Sequence, residues 1–177
     1  MESPHPLDAF TYCPRCGSRK GSSPTVKLFA CPDCGFRYFQ NAAAAVMAIL
    51  RRPGGEILLV RRGREPARGL LDLPGGFVDP LETLEAALVR EVREEVGIAI
   101  ARHAYLASFP NRYHYAGVLY YTIDSVFLCD VADPSAAVDR DEVAGCAWLR
   151  PEAIDHDEVG FESVRAALRA YAGSARA

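Results

Sequence analysis

A run of twenty-three residues near the middle of this 177-residue chain constrains its fold more than any other feature. It begins at Gly76 and ends in Arg90-Glu-Val-Arg-Glu-Glu-Val-Gly-Ile98. On an α-helix, Glu91, Glu94 and Glu95 fall within an arc of roughly 100°. Like charges this close repel one another, and dense carboxylate oxygens are ligands that Mg²⁺ or Mn²⁺ accepts. The spacing therefore predicts a helix with a face that binds divalent metal.

The ends of this helix are also marked in the sequence. Asp79 suits the N-cap, Pro80 suits the first helical position, and Glu82 follows Asp79 at the spacing of a capping box. Gly97 provides the stop. The preceding segment, Leu71-Asp-Leu-Pro-Gly-Gly76, predicts a strand end and a turn whose paired glycines let the backbone approach a ligand closely.

The neighbouring sector of the helix is apolar. Val89, Val92 and Val96 recur at i, i+3 and i+7, which predicts that this side packs into a core. Taken alone, a helix with several Glu and Arg is usually a solvated face with pairs such as Arg90 and Glu94. The fixed spacing of the whole run favours the metal-binding interpretation instead.

The complete pattern is Gly-x5-Glu-x7-Arg-Glu-aliphatic-x-Glu-Glu-x-Gly-aliphatic, and the chain meets every fixed position. This resembles the signature of the nudix hydrolases. The resemblance covers residues from about 41 to 171. It implies an α+β fold, an α/β/α sandwich with a mixed sheet, and metal-dependent hydrolysis of a nucleoside diphosphate linked to another moiety.

The resemblance also implies roles for individual residues. Glu91 and Glu95 are expected to bind metal directly, and Glu94 to be a ligand or part of the base system. Arg90 is expected to orient the carboxylates, and Glu142 to be a further metal ligand outside the run. Four residues are expected to shape the loop and the helix ends: Gly75, Gly76, Glu82 and Gly97.

The chemistry explains why such residues are needed. A pyrophosphate repels nucleophiles, so catalysis must neutralise its oxygens, acidify a water and stabilise the departing phosphate. Mg²⁺ or Mn²⁺ ions bridging carboxylates and phosphate oxygens supply all three effects. We expect water to attack phosphorus and two monophosphates to leave. Glu91 is the first choice for the general base, although another glutamate remains open.

Four of the six cysteines form two Cys-x2-Cys pairs, and each pair is followed by a glycine that can adopt a left-handed conformation. The pairs are Cys13 with Cys16 and Cys31 with Cys34. This spacing predicts a closed structural zinc site. Two redox dithiols are the alternative, but no thioredoxin-like βαβ pattern surrounds either pair. Cys129 and Cys146 lie in apolar stretches and are expected to be buried.

The organisation of the chain follows from these motifs. Residues 1–40 are expected to form the zinc ribbon, too small to fold without its metal, and residues 41–177 the nudix domain. A four-cysteine ribbon before such a domain resembles the arrangement in NADH pyrophosphatases and in some FAD-cleaving nudix enzymes. Between the motifs, hydrophobic patterns predict a hairpin over 42–62, strands over 98–108, 118–131 and 143–149, and a helix over 161–171.

Composition excludes several classes of partner. The net charge of −3 indicates no global attraction to nucleic acid or an acidic membrane, with a capped RNA end as the exception left open. There is no long apolar run, and Met1-Glu-Ser-Pro-His-Pro does not resemble a signal peptide. A cytoplasmic location is therefore expected. Family members are often homodimers, so a homodimer also stays open.

The segment after the helix bears on the substrate. Phe109-Pro-Asn-Arg-Tyr-His-Tyr-Ala-Gly117 combines aromatic and polar residues. It predicts either a site that stacks a base and holds phosphates or an ordinary hairpin loop. The substrate-binding residues expected on the first interpretation are Phe109, Asn111, Arg112, Tyr113 and Tyr115.

NADH pyrophosphatases carry Ser-Gln-Pro-Trp-Pro-Phe-Pro shortly after the signature. Here the corresponding stretch is Ser108-Phe-Pro-Asn-Arg-Tyr, which keeps the serine but lacks the glutamine and tryptophan. The substrate therefore stays open among NAD or NADH, ADP-ribose, FAD, dinucleoside polyphosphates and related compounds.

A second class of function also remains open. Some nudix-like domains bind a nucleotide and regulate transcription without cleaving it, and a zinc ribbon can bind nucleic acid. Two features argue against this. A sensor does not need all three glutamates, and the basic residues of the ribbon are scattered along the sequence.

Overall fold

The computed structural model describes residues 5–131, 133–135 and 142–174. The chain forms two compact units. The first unit comprises residues 1–43 together with 112–121, and the second comprises 44–111 and 122–177. The chain thus returns once from the second unit to the first and back again.

The first unit contains a small three-stranded antiparallel sheet. Its strands are β1 (Ser22–Thr25), β2 (Leu28–Ala30) and β3 (Arg37–Phe39), in that spatial order. A 3₁₀ turn over Pro6–Ala9 precedes them. The apolar cluster of this unit is small, with four buried members: Leu7, Cys13, Phe29 and Cys31.

The second unit is built on a seven-stranded mixed sheet. Its strands are β4 (Ala43–Arg51), β5 (Ile57–Arg62), β6 (Leu71–Asp72), β7 (Gly75–Phe77), β8 (Ile100–Tyr115), β9 (Val118–Val131) and β10 (Val143–Leu149). Five of them follow the order β10-β5-β4-β9-β8, while β6 pairs with β5 and β7 pairs with β4. The helices are α1 (Leu84–Val96) and α2 (Glu162–Ser174), with 3₁₀ turns over Pro151–Ala153 and His156–Glu158.

The two helices pack on opposite faces of this sheet. Alternate residues of β4 belong to two different buried clusters, because successive side chains of a strand point to opposite faces. Val46, Ala48 and Leu50 join the cluster of α1, whereas Met47 and Ile49 join the cluster of α2. The predicted α/β/α sandwich with a mixed sheet is confirmed.

Most of the predicted elements are present, and several predicted details are wrong. The hairpin over 42–62, the strand over 118–131, the strand over 143–149 and the C-terminal helix are confirmed. The strand predicted to end near residue 108 instead continues to Tyr115, so residues 109–115 form a strand and not a separate loop. Ala116 and Gly117 make the turn, both at positive φ.

The predicted start of α1 is also wrong. The N-cap is Thr83, whose hydroxyl accepts a hydrogen bond from the Ala86 amide at 3.2 Å, and not Asp79. Leu81 has a φ of 70°, a left-handed conformation that interrupts any helix beginning at Asp79. The predicted stop at Gly97 is confirmed, with a φ of 69° and its amide donating to the Arg93 carbonyl.

Two predictions of burial are wrong as well. Val92 and Val96 are fully buried, but Val89 is 44% exposed, and Leu88 takes its place in the core stripe. Cys129 is buried as predicted, whereas Cys146 is exposed on β10, the edge strand of the sheet. No helix within the described ranges combines the length and the apolar character that a membrane span requires.

Candidate active site

The carboxylates of α1 lie on its last two turns beside the loop that joins β7 to the helix. Glu91 and Glu95 are half-buried, while Glu94 is exposed. The neighbouring side of the helix is held by Leu88, Val92 and Val96 in the core. The packed side fixes the rotation of the helix and thereby directs the three carboxylates to one side.

Arg90 is the centre of a hydrogen-bond network around these groups. Its Nε and Nη2 donate to the two carboxylate oxygens of Glu82 at 2.9 and 2.8 Å. Its Nη1 donates to Glu91 at 2.7 Å and to Glu94 at 3.2 Å, and Nη2 also reaches the Phe77 carbonyl at 3.1 Å. One guanidinium thus fixes Glu91 and Glu94 relative to the loop.

Glu82 supports this network from outside the helix. Besides accepting from Arg90, its carboxylate accepts from the Asp79 amide at 3.0 Å, and the Glu82 amide donates to the Asp79 carbonyl at 3.0 Å. The hydrogen bonds from Arg90, followed by that from Asp79, lower the pKa of Glu82. Only one half of the predicted capping box is therefore present, because the Glu82 amide bonds to the backbone carbonyl of Asp79 and not to its side chain. These bonds close a turn before the helix.

The two glycines before the helix lie in β7, paired with β4, and not in the predicted turn, and they allow very close approach. A Cβ atom on Gly76 would lie 2.5 Å from Cδ of Glu91. Gly75 has a φ of 151°, and a Cβ there would lie 2.0 Å from the Val46 carbonyl oxygen. No other residue fits either position without displacing its neighbour. The Gly75 amide donates to Glu95 at 2.9 Å, so the first residue of β7 also orients the third carboxylate.

The electrostatics of the site favour bound positive charge. Burial raises the pKa of Glu95 to about 8, against the Gly75 hydrogen bond, and the charges of Asp72, Glu91 and Glu142 raise it further. Burial also raises the pKa of Glu91, with Arg90 opposing this and Glu94 and Glu142 adding to it. These carboxylates are held together against their mutual repulsion.

Glu142 acts on the same group of charges from another part of the chain. It lies immediately before β10, where its carbonyl accepts from the Gly63 amide at 2.8 Å. Its exposed carboxylate pairs with Arg64 at 3.0 Å. Its charge raises the pKa of both Glu91 and Glu95, although about fifty residues of sequence separate it from them. The adjacent residues 136–141 lie outside the described ranges.

The carboxylates of the site fit a divalent cation in their chemistry. They supply hard oxygen ligands, partly shielded from water, at a place where negative charge accumulates. Each contacts a different partner: Glu91 accepts from Arg90, Glu95 from the Gly75 amide, and Glu142 pairs with Arg64. Within the described residues, the four cysteines are the group whose ligand atoms converge within 4.8 Å. A cation would have to draw the carboxylate oxygens together.

The four cysteines of the first unit already have the geometry of a metal site. Cys13 Sγ lies 3.7 Å from Cys34 Sγ, and Cys16 Sγ lies 3.7 Å from Cys31 Sγ. These distances match the edge of a tetrahedron with metal–sulfur bonds of about 2.3 Å, which is roughly 3.8 Å. Gly17 and Gly35 have φ of 73° and 71°, as predicted, and close the two turns.

The thiols are held in surroundings that favour thiolate at one end of the cluster. Burial alone would raise the pKa of Cys13, yet backbone amides at Arg15 and Cys16 bring it down to about 7. All six cysteines of the chain are free thiols in the structure. The cluster can therefore hold one soft metal ion.

The predicted substrate-binding residues are divided between the two units. Phe109 is half-buried in β8 against the cluster of α2, and Asn111 follows it in the second unit. Three others lie in the first unit: Arg112, Tyr113 and Tyr115. They belong to residues 112–121, the end of the β8–β9 hairpin around its turn, which we call the hairpin tip. The rings of Tyr113 and Tyr115 stack with centroids 6.3 Å apart.

Sequence reasoning missed a buried carboxylate next to the site. Asp72 on β6 is 8% exposed, and its carboxylate accepts from Arg62 Nη1 and from the Leu73 amide, both at 2.8 Å. Burial raises the pKa of Asp72, while Arg62 opposes the shift. The signal for it was a single acidic residue between two buried leucines, Leu71 and Leu73.

Comparison with known proteins gives one family. A family model described as the NUDIX domain matches residues 41–169. The protein named NAD-capped RNA hydrolase NudC from Erwinia tasmaniensis is 31% identical over 143 residues, which are 81% of this chain and 52% of that protein. Its counterpart from Deinococcus radiodurans is 34% identical over 116 residues, which are 64% of this chain and 41% of that protein.

Solved structures agree with this match. A MutT NUDIX hydrolase from Burkholderia pseudomallei has a TM-score of 0.64 and 29% identity, covering 73% of this chain and 98% of its own. A NUDIX hydrolase from Nitrosomonas europaea has a TM-score of 0.70 and 22% identity, and the match covers 92% of this chain and 90% of that chain. The second likeness concerns the fold alone. The chain spans about half the length of the curated relatives it matches.

Proposed function

Because the chain belongs to the NUDIX family, we propose that it is a divalent-metal-dependent hydrolase of pyrophosphate bonds in nucleoside diphosphates linked to another moiety. The observation that carries this proposal is the network of Arg90 with Glu82, Glu91 and Glu94 beside Gly75 and Gly76 of β7. It holds several carboxylates in place where they repel each other. Such an arrangement costs stability and is understandable as a binding site for cations.

The metal-binding residues in this proposal are Glu91, Glu94, Glu95 and Glu142. Mg²⁺ or Mn²⁺ suits their oxygen ligands. When bound, such an ion neutralises phosphate oxygens and makes a water molecule more acidic. Glu142 belongs to the set because its charge acts on both Glu91 and Glu95.

The other roles follow from the hydrogen bonds of the side chains. Glu91 is the proposed general base, because its carboxylate is half-buried and its pKa is raised, which favours taking a proton. Arg90 orients Glu91 and Glu94, and Glu82 in turn holds Arg90. The Gly75 amide fixes Glu95.

The proposed reaction is a single displacement at phosphorus. The water oxygen forms a bond to one phosphorus, its proton passes to Glu91, and the bridging P–O bond breaks. The second phosphate leaves with the electron pair of that bond. Two monophosphates result, with no oxidant or further reactant required.

For the substrate we propose the NAD-linked pyrophosphate, either as the free dinucleotide or at the 5′ end of an RNA. The support is the name of the curated relatives, NAD-capped RNA hydrolase. ADP-ribose, FAD and dinucleoside polyphosphates contain the same bond and remain candidates for the substrate test. The proposed substrate-binding residues are Phe109, Asn111, Arg112, Tyr113 and Tyr115.

The proposed role of the cysteine cluster is structural. A Zn²⁺ ion bound by Cys13, Cys16, Cys31 and Cys34 leaves no position for water. We propose a zinc ribbon over residues 1–40 and a nudix domain over 41–177. Free thiols throughout the described chain suit a reducing compartment such as the cytoplasm.

A substrate panel tests the proposed function. The purified chain is incubated with Mg²⁺ or Mn²⁺ and with NADH, NAD, ADP-ribose, FAD, dinucleoside polyphosphates, oxidised dNTPs and NAD-capped RNA. We expect monophosphate products that disappear when the divalent cation is removed. If nothing is cleaved while a nucleotide still binds, the chain is a sensor and the proposed hydrolase activity is wrong.

A further inference from the structure

Positive charge and aromatic residues are concentrated in the first unit. Its described residues, 5–43 and 112–121, contain two acidic residues, Asp8 and Asp33. They contain three times as many basic residues: Arg15, Arg19, Lys20, Lys27, Arg37 and Arg112. Because the whole chain carries a net charge of −3, the second unit is acidic. A zinc tetrathiolate in the first unit would still leave a positive excess there.

The same unit holds most of the tyrosines. Of the eight tyrosines in the chain, six belong to it. Only the return of residues 112–121 to the ribbon reveals this concentration, because four of the six lie at the hairpin tip: Tyr113, Tyr115, Tyr120 and Tyr121. Within the unit, the rings of Tyr121 and His5 lie 5.7 Å apart, so the tip contacts the ribbon.

One exposed patch lies on β3. Arg37 and Phe39 are two residues apart on this strand and therefore point to the same face. Phe39 is 53% exposed and Arg37 is exposed. Lys27 lies next to this strand, since its carbonyl accepts from the Gln40 amide at 2.8 Å. Tyr38, between them, turns the other way and packs edge-on against Phe10 at 5.4 Å.

A second exposed patch lies beside the first cysteine pair. The guanidinium of Arg19 lies over the ring of Tyr12, 4.9 Å from its centroid, and also donates to the Tyr12 hydroxyl at 2.5 Å. Tyr12 is 49% exposed. The pair therefore presents an aromatic face and a cation together.

We propose that these two patches of the first unit bind single-stranded RNA. Exposed aromatic rings stack on bases of any sequence, and neighbouring Lys and Arg contact phosphates. The ligand is the RNA body that follows the 5′ nucleotide, so the inference rests on the proposed function and extends it. A second copy of the chain fits less well, because two identical basic surfaces repel each other across a symmetric interface.

The experiment compares two substrates for the full chain with its metals bound. One is free NAD, and the other is a 5′-NAD-capped single-stranded RNA of roughly 20 nucleotides, longer than one stacking site. Arg37→Ala/Phe39→Ala is expected to lower kcat/KM for the RNA about tenfold through KM, a loss of the size of one base stack. Hydrolysis of free NAD stays unchanged.

A matched control lies on β8 of the second unit. Arg102→Ala/Tyr105→Ala also removes one exposed cation and one exposed aromatic ring, and it is expected to leave both substrates unaffected. The charge-only variant Arg19→Gln/Lys27→Gln leaves the strands of the ribbon intact. It should make the slope of log affinity for RNA against log salt concentration shallower by about 0.7 for each phosphate that the variant no longer neutralises. Zinc content verifies that every variant keeps its ribbon.

The outcomes separate the two proposals. If no pyrophosphate is cleaved, the proposed function fails, and fluorescence anisotropy with uncapped RNA still tests this inference by the same variants. If NAD and capped RNA are cleaved and the ribbon variants bind RNA like the control, the RNA surface is wrong. A change of molecular mass in the Arg37/Phe39 variant with unchanged RNA binding would assign the face to self-association and overturn the proposal.

Discussion

The two units of the molecule each bring together several side chains that can bind a metal ion, and they support them differently. In the first unit, four thiols sit 3.7 Å apart in pairs, and two of them, Cys13 and Cys31, are among the four buried members of its apolar cluster. In the second unit, the carboxylates of α1 rest on a helix buried against the sheet, and Arg90 balances part of their charge. One set is soft sulfur, and the other is hard oxygen.

This difference indicates what each metal is expected to do. A small cluster does not compensate the entropy of ordering its chain, so the ribbon should depend on its metal for folding. The sheet and its two helices bury much more apolar surface and should fold without divalent ions. Metal loss therefore should unfold one unit and inactivate the other.

The largest expected effect is loss of the ribbon when a zinc ligand is removed. Cys31→Ser should eliminate bound zinc, whose binding stabilises small ribbons by about 10 kcal/mol. Hydrogen exchange with mass spectrometry should then show residues 22–39 unprotected while α1 stays protected. Cys146→Ser, at an exposed thiol outside the cluster, serves as the control and should change neither the zinc content nor the hydrogen exchange of residues 22–39. If residues 22–39 stay protected without zinc, the ribbon does not depend on its metal for folding and the proposed difference between the two units is wrong.

Next in size is the effect of Glu95→Gln on hydrolysis. The amide oxygen can still accept from Gly75, but the charge needed for metal is gone, so turnover should fall on the order of 1,000-fold. The melting temperature should not fall, since Glu95 is half-buried and the charges of Asp72, Glu91 and Glu142 disfavour its ionised form.

The control for this variant is Glu85→Gln, an exposed glutamate in the first turn of the same helix. It should retain full turnover. Equal activity of Glu95→Gln and Glu85→Gln would mean that the carboxylates of α1 do not bind the catalytic metal.

A smaller effect is expected from Gly76→Ala. The new Cβ would meet the Glu91 carboxylate and displace it, and a shift of about 1 Å at a reacting group costs roughly 100-fold in rate. Steady-state kinetics on NAD measure this loss. Gly145→Ala is the matched control, because a Cβ at that glycine meets open space and its φ is ordinary. If Gly76→Ala and Gly145→Ala hydrolyse NAD at similar rates, the observed position of the Glu91 carboxylate is not required for catalysis.

The smallest effect is expected from Arg90→Lys. A lysine keeps the charge but cannot reach Glu82, Glu91 and Glu94 together, so the carboxylates lose their fixed orientation. The apparent Mg²⁺ affinity or the turnover should fall about tenfold, as for other residues that orient metal ligands. Arg93 is exposed on the same helix, and Arg93→Lys should change neither the Mg²⁺ affinity nor the turnover. If Arg90→Lys changes neither the Mg²⁺ affinity nor the turnover, Arg90 contributes only its positive charge and does not orient the carboxylates.

Local sequence predicted the parts of the fold that depend on neighbours in the chain. Gly97 ends α1, Gly17 and Gly35 close the cysteine turns, and the β4–β5 hairpin has its predicted turn. In each case a nearby residue type determines the conformation. The start of α1 was less predictable, because Asp79 and Thr83 are both good caps and the left-handed Leu81 decided between them.

The features that local sequence did not predict depend on distant contacts. Pairing with β9 extends β8 to Tyr115, and the edge position of β10 leaves Cys146 exposed. The grouping of residues 112–121 with the ribbon also joins segments about seventy residues apart. The sequence shows the ribbon's basic residues as scattered, whereas the structure places Arg37 on one face with Phe39 and Arg19 over the ring of Tyr12. These two pairings carry the proposed RNA surface.

Hydrolysis in ¹⁸O-labelled water tests the central claim most directly. With NAD and Mn²⁺, mass spectrometry of the products should show two mononucleotides, one of which carries a single ¹⁸O on its phosphate. This result requires attack by water on phosphorus at the pyrophosphate. Free nicotinamide with ADP-ribose, or mononucleotides without label in either phosphate, would contradict the account, because the bond broken or the nucleophile would be different.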